Sequence, residues 1–110
     1  MYIRYAFFEG KVKEGCEAAF TKFVRERLVP IWTTFPDAKE VRILRQQSAD
    51  DGAPRFEMVL AIRYPSLEAV EVAVNSDARA RARLETRELV KMFEGRIFHN
   101  VFKVDEFPPA

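Results

Sequence analysis

Residues 55–64 read "RFEMVLAIRY", a run in which neither alternate set of side chains is wholly polar. With a side-chain period of two, Phe56, Met58, Leu60, Ile62 and Tyr64 take one side of a strand, and Glu57, Val59, Ala61 and Arg63 take the other. A strand this apolar on both sides belongs inside a layered structure. Just upstream, "AKEVRILR" (38–45) is also strand-like, and the link "QQSADDGAP" (46–54) carries the Asp-Gly and Pro punctuation of a hairpin loop. These two strands are expected to pair antiparallel. Further back, aromatic and β-branched residues crowd Tyr2 to Phe8 and stop at Gly10, which predicts a first strand with Ile3, Tyr5 and Phe7 opposing Tyr2, Arg4, Ala6 and Phe8.

Between the first two strands the period changes. From about residue 14 to 35, Cys16, Ala19, Phe20, Phe23, Val24 and Ile31 fall on one side at 100° per residue, so a helix is expected. After the third strand, "PSLEAVEVAV" (65–74) offers Ser66 as an N-cap and Leu67, Val70 and Val74 as one helical side. "NSD" (75–77) interrupts, and a further helical run from Asp77 to Phe93 ends before Gly95, read here as the left-handed residue past a helix end. "RIFHNVFKV" (96–104) is the last strand, and the paired prolines of "DEFPPA" (105–110) forbid its continuation.

The order β-α-β-β-α-β in residues 1–110 predicts a single α+β domain of ferredoxin-like type, a four-stranded antiparallel sheet with both helical segments on one face. The second face, expected to hold Tyr2, Phe8, Leu44, Val59 and Ala61, is too apolar for water. A homodimer whose sheets meet face to face is the expected cover, the alternative being a monomer with a mixed outer face.

Composition removes several function classes. Eighteen basic and seventeen acidic residues leave a net charge of +1, which argues against nucleic acid as a partner. One cysteine, Cys16, permits no internal disulfide and fits a reducing, cytoplasmic setting, and one histidine, His99, permits no multi-histidine metal site. Neither a targeting leader nor a run of about 20 apolar residues is visible, so no membrane partner is expected.

The segments "FVRERLVPIWTTFPDAKEVRIL" (23–44) and "RYPSLEAVEVAVNSDARARARLE" (63–85) resemble the dimeric α+β barrel superfamily. The first is similar to the EthD-like branch, in which a helix runs into a His-x-Pro motif. Pro30 takes the place of that proline and Pro36 of a later turn proline, whereas the histidine position is Leu28. The second resembles antibiotic-biosynthesis-monooxygenase-like members, where a similar pattern splits the helix in two. The resemblance implies a ligand cavity between helices and sheet, and chemistries that include cofactor-free oxygenation, isomerisation and cyclisation. Haem-degrading relatives use a histidine on the second helical segment, and residues 66–94 contain none. No cofactor is therefore expected.

Seven residues are candidates for chemistry. Pro30 lacks an amide hydrogen, so the helix should bend and redirect Trp32, either over the cavity mouth or onto its rim. On a helical wheel Arg27 lies near the centre of the Cys16, Phe20, Phe23 stripe, and Glu85 interrupts the stripe of Ala78, Ala82, Leu89, Met92 and Phe93. The two either line one cavity, with Arg27 holding an anionic or enolate oxygen and Glu85 moving a proton, or Glu85 forms a structural salt bridge with Arg27 or with Arg81 at i,i+4. In the last strand, either Ile97, His99 and Val101 face the helices, making His99 a general base, or Phe98, Asn100 and Phe102 do, making Asn100 a polar anchor. Tyr5 and Tyr64 are further hydroxyl sources for the same space. Arg79, Arg81 and Arg83 step by about 200° and are read as fanning around a solvated helix. The expected function is a cofactor-independent enzyme acting on a small aromatic or enolisable molecule; the other reading is a non-catalytic binding or structural dimer.

Overall fold

The computed structural model describes residues Met1–Ala110. Along the chain lie β1 (Tyr2–Val12), α1 (Glu17–Phe23), a π-helical turn (Val24–Leu28), α2 (Val29–Trp32), β2 (Glu40–Leu44), β3 (Phe56–Tyr64), α3 (Leu67–Val74), α4 (Asp77–Leu89), a 3-10 turn (Val90–Met92) and β4 (Phe93–Lys103). The strands form one antiparallel sheet in the order β2-β3-β1-β4. All helices lie on one face, and the molecule is only 19 Å thick in its shortest direction, the depth of two layers.

Cross-strand partners share a face, so the register assigns every strand residue. Ala6 pairs with Leu60 and His99, Arg4 with Ile62 and Val101, and Phe8 with Met58 and Ile97; this set faces the helices. Ile3, Tyr5 and Phe7 pair with Arg63, Ala61 and Val59 on one side and with Phe102, Asn100 and Phe98 on the other; this set faces away. The outer face therefore differs from the expected one. Tyr2 and Phe8 pack toward the helices, and Phe8 is buried in the core. A bulge between Phe8 and Glu9 places Phe56 opposite Glu9, which moves Phe56 from the Met58 side to the outer side, against Phe7 at 5.5 Å between ring centroids.

The outer face is an aromatic layer. Phe7 lies 5.0 Å from Phe98 and 5.6 Å from Tyr5, and Tyr5 meets Phe102 edge-on at 5.4 Å. Nothing within the chain covers these rings: Phe102 is 49% exposed.

Gly95 does not end a helix. α4 closes at Leu89 and β4 already runs at Gly95, directly opposite Gly10 of β1. Both have positive φ, 138° at Gly10 and 147° at Gly95, and a Cβ on either would collide with the backbone carbonyl of Glu94 or Glu9. Two strands approach here more closely than any side chain allows. The first strand continues through this contact to Val12 instead of stopping at Gly10.

Ser66 caps α3 as expected, and Ser76 caps α4 in the same way. Ser66 accepts from the Ala69 amide and Ser76 from the Arg79 amide, so the chain turns twice at the "NSD" interruption. α3 is rotated from its expected side: Ala69, Val70 and Ala73 are buried while Leu67 is exposed.

We expect Gly95→Ala to lower stability by about 2–4 kcal/mol, since it adds a clash to a φ that alanine avoids. Urea unfolding checks this, with Gly52→Ala, in an open loop turn, as the milder control.

Candidate functional site

The helical segment before Pro30 widens where a bend was expected. Over Val24–Leu28 it adopts π geometry, and the Val29 amide reaches back five residues to the Val24 carbonyl. The proline ring clashes with a carbonyl four residues back in a normal α-helix, and a wider turn relieves that clash. The wide turn also explains which face is buried. Phe20, Val24, Leu28 and Trp32 form a strict every-fourth row in the core. On a uniform α-helix such a row drifts by about 120° over twelve residues, and the extra residue in the turn cancels the drift.

That shift takes Arg27 off the inward face. Its guanidinium, with a side chain 58% exposed, donates to Glu85 Oε1 at 2.7 Å, and Glu85 is partly covered between the buried Ala82 and Leu89. The pair ties the π turn to α4 and lies outside the cavity described below. An ion pair this exposed contributes about 1 kcal/mol or less. The alternative of Arg27 and Glu85 facing one cavity is not what the fold builds.

The cavity between helices and sheet measures about 290 Å³. Phe8, Leu60, Ile62 and Ile97 form its sheet wall, and Trp32 and Phe35 its α2 end. Trp32 is only 4% exposed, so it is a wall of the cavity within the core and not a lid over its mouth. The polar lining is Arg4 from β1, Arg79, Arg83, Thr86 and Arg87 from α4, and His99 from β4. No carboxylate lines it.

The register settles the two open strand questions. His99, paired with Ala6, faces the cavity; Asn100, paired with Tyr5, faces away, and both Asn100 and Tyr5 belong to the outer aromatic layer. Neither Tyr5 nor Asn100 is placed to touch a molecule in this cavity. Tyr64 lies on the helix side, almost fully buried, close enough to Arg4 and Arg79 to feel their charges. Burial pushes its hydroxyl up to about 12, so it stays protonated.

His99 is held below its ordinary value of 6.5, at about 4. Burial of the ring is the main cause, and the charges of Arg4, Arg79 and Arg83 add to it. The imidazole is neutral at pH 7, one nitrogen donating and one accepting. Arg4 and Arg79 are themselves lowered, first by burial and then by neighbouring arginines, Arg79 and Arg83 acting on Arg4 and Arg83 on Arg79.

The arginines of α4 are the feature that the wheel of Arg79, Arg81 and Arg83 concealed. Arg79, Arg83 and Arg87 stand four apart, which places them on one helical side, and only Arg81 points elsewhere, absent from the lining. The signal lay in "RARARLETR" (79–87), legible once every fourth position is read instead of every second.

No protein-family model matches the chain, and no curated protein matches its sequence. Solved structures do. An ethyl tert-butyl ether degradation (EthD) family protein from Bacillus halodurans superposes with a TM-score of 0.72 at 12% identity, over 96% of this chain and 100% of its own. An antibiotic biosynthesis monooxygenase matches with a TM-score of 0.63 at 10% identity, over 96% of this chain and 100% of its own. A dimeric protein of ferredoxin-like fold from Bacteroides fragilis matches with a TM-score of 0.65 at 8% identity, over 94% and 95% of the two chains. At these identities the likeness is one of fold: the chain has the ferredoxin-like α+β architecture of the EthD and antibiotic-biosynthesis-monooxygenase proteins, as the sequence resemblance implied. No helix is long and apolar enough to cross a membrane.

The His99 value gives a pH dependence with a definite sign. The unfolded chain takes up a proton at His99 near 6.5 and the folded chain only near 4, so stability falls as pH drops through that window. Because the ring is partly exposed, the loss is on the order of 1 kcal/mol. Thermal melts between these two pH values should show a smaller decline for His99→Gln than for the wild type.

Proposed function

We propose that the protein is a homodimeric, cofactor-independent enzyme acting on a small aromatic or enolisable organic molecule held between helices and sheet. One observation carries the reading: the chain's only imidazole, uncharged at neutral pH, stands on the wall of a mainly apolar cavity at the small end of the ligand-pocket range. The fold shared with a monooxygenase and an EthD protein supports it.

The chemistry follows from the groups present. A neutral ring nitrogen of His99 accepts a proton from a carbon beside a carbonyl. The electron pair of the broken C–H bond passes to the carbonyl oxygen, and the neighbouring guanidinium groups stabilise the enolate that forms. Return of the proton at another carbon is an isomerisation, and attack of the enolate carbon on a second carbonyl of the same molecule is a cyclisation. With dioxygen as co-substrate, the same enolate is the species an oxygenase oxidises. Trp32 and Phe35 give a flat substrate an apolar wall to lie against. A reducing, cytoplasmic setting accords with the single cysteine, which sits half-buried at the start of α1.

The dimer is the second part of the proposal. Phe7, Phe56, Phe98, Phe102 and Tyr5 form an apolar layer with no cover of its own, and one structure of the same fold is described as dimeric. A second copy of the same face covers it. Light scattering at micromolar concentration should give twice the chain mass, and Phe7→Asp with Phe98→Asp should give a folded monomer; a monomeric wild type would refute the dimer.

Catalysis is tested by hydrogen–deuterium exchange at the α-carbon of a panel of aryl ketones and keto acids in D2O. The wild type should accelerate exchange of at least one compound, and His99→Gln should lose about 100-fold or more of that rate, the usual contribution of a general base. Binding without any exchange would favour the non-catalytic reading.

A further inference from the structure

Each of the seven ion pairs in the structure leaves out Arg4, Arg79, Arg83 and Arg87. No side-chain hydrogen bond engages them either; on α4 only the backbone amide of Arg79 is used, by its cap. Of the acids on α4, Glu85 is committed to Arg27 and Glu88 to Lys91, and Asp77 neither pairs with these arginines nor lines the cavity. Four unpaired guanidinium groups therefore converge on one cavity that contains no carboxylate.

This arrangement opposes the stability of the isolated chain. Arg79, Arg83 and Arg87 repel one another at successive four-residue spacings, each pair by a few tenths of a kcal/mol on a helix. Arg4 on β1 faces them across the cavity, half-buried, and its charge is disfavoured both by burial and by Arg79 and Arg83. All four border one mainly apolar cavity, Arg4 and Arg79 half-buried and Arg83 and Arg87 exposed. A bound negative charge relieves both the desolvation and the repulsion.

We propose that the cavity selects small organic anions, a carboxylate or equivalent oxyanion on an apolar body, with the charge held by Arg4, Arg79 and Arg83 and the body against Trp32, Phe35, Leu60 and Ile62. The inference rests on the reading of this cavity as the ligand site. It also gives His99 its basicity. Burial depresses the imidazole most, and Arg4 from β1 and Arg79 and Arg83 from α4 add to it, with Arg87 lining the same space. An anion set among them offsets the part of the depression that their charges supply, so the proton affinity of His99 rises by that part when ligand is bound. Substrate charge and base strength are then coupled.

The test uses benzoate and its neutral isostere benzamide as probes on the full chain, read by thermal shift and by the ring NMR signal of His99, the only histidine. Benzoate should bind about tenfold or more tightly than benzamide, the ratio that about 1.4 kcal/mol of charge-assisted bonding supplies. It should also move the His99 titration upward, and benzamide should not. Arg79→Gln with Arg83→Gln should erase the preference while benzamide binding persists. Equal binding of the two probes would overturn anion selection and leave the cavity as a ligand site. Failure of both probes to perturb His99 would overturn the cavity reading together with the inference. A benzoate preference that survives in the double variant would overturn the assignment to these arginines, and the wild-type comparison stands even if that variant does not fold.

Discussion

The register of β1 against its two neighbours is the constraint on which the site depends. β1 lies between β3 and β4, and each of its residues from Tyr2 to Glu9 has one partner on β3 and one on β4. A slip of a single residue would turn every side chain to the other face. The Gly10–Gly95 contact opposes such a slip: two backbones meet where no Cβ fits, and only this alignment brings the two glycines opposite each other. With that contact set, Ala6 lies beside His99 and Tyr5 beside Asn100, and the cavity receives an imidazole instead of an amide. Ala6 is small enough to leave room above it for the space that His99 borders.

A second constraint acts on the helical layer. The proline in "RERLVPIW" forces a wide turn, and the wide turn holds Phe20, Val24, Leu28 and Trp32 in one row over the sheet. Arg27 is displaced outward by the same geometry and becomes an anchor to Glu85 of α4. That anchor lies on α4 away from the arginine row, so one helix carries two separate electrostatic features. One is internally neutralised and ties helices together. The other is uncompensated and borders the cavity.

The two sheet faces differ in composition. Toward the helices the face is apolar at its centre and charged at its margin, a composition suited to a small molecule with one polar end. Away from them it is an aromatic layer in which Phe7 contacts Tyr5, Phe56 and Phe98. The charges on that layer lie beside it: Arg96 stacks over Phe98 at 4.8 Å while bonding Glu9, and Arg42 and Arg63 both lie near Glu40. An apolar centre with paired charges at the edge is the composition that the proposed dimer contact requires.

The order of elements, the antiparallel hairpin, the Ser66 cap and the apolar character of both sheet faces were legible in the residues, because each rests on local period, turn chemistry or capping, which a few neighbouring positions encode. The membership of each face was not, since a bulge at Phe8 and Glu9 and the choice of His99 over Asn100 depend on pairing partners about 50 to 100 positions away. Gly95 looked like a helix end because a glycine's freedom has the same signature at a cap and at a close strand contact. Arg27 looked inward because a wheel assumes a constant turn, which Pro30 prevents. The arginine row of α4 was present in the sequence at every fourth position, but its convergence with Arg4 and His99 is a property of the assembled layers: only the folded chain brings residues from its two ends and from α4 around a single space.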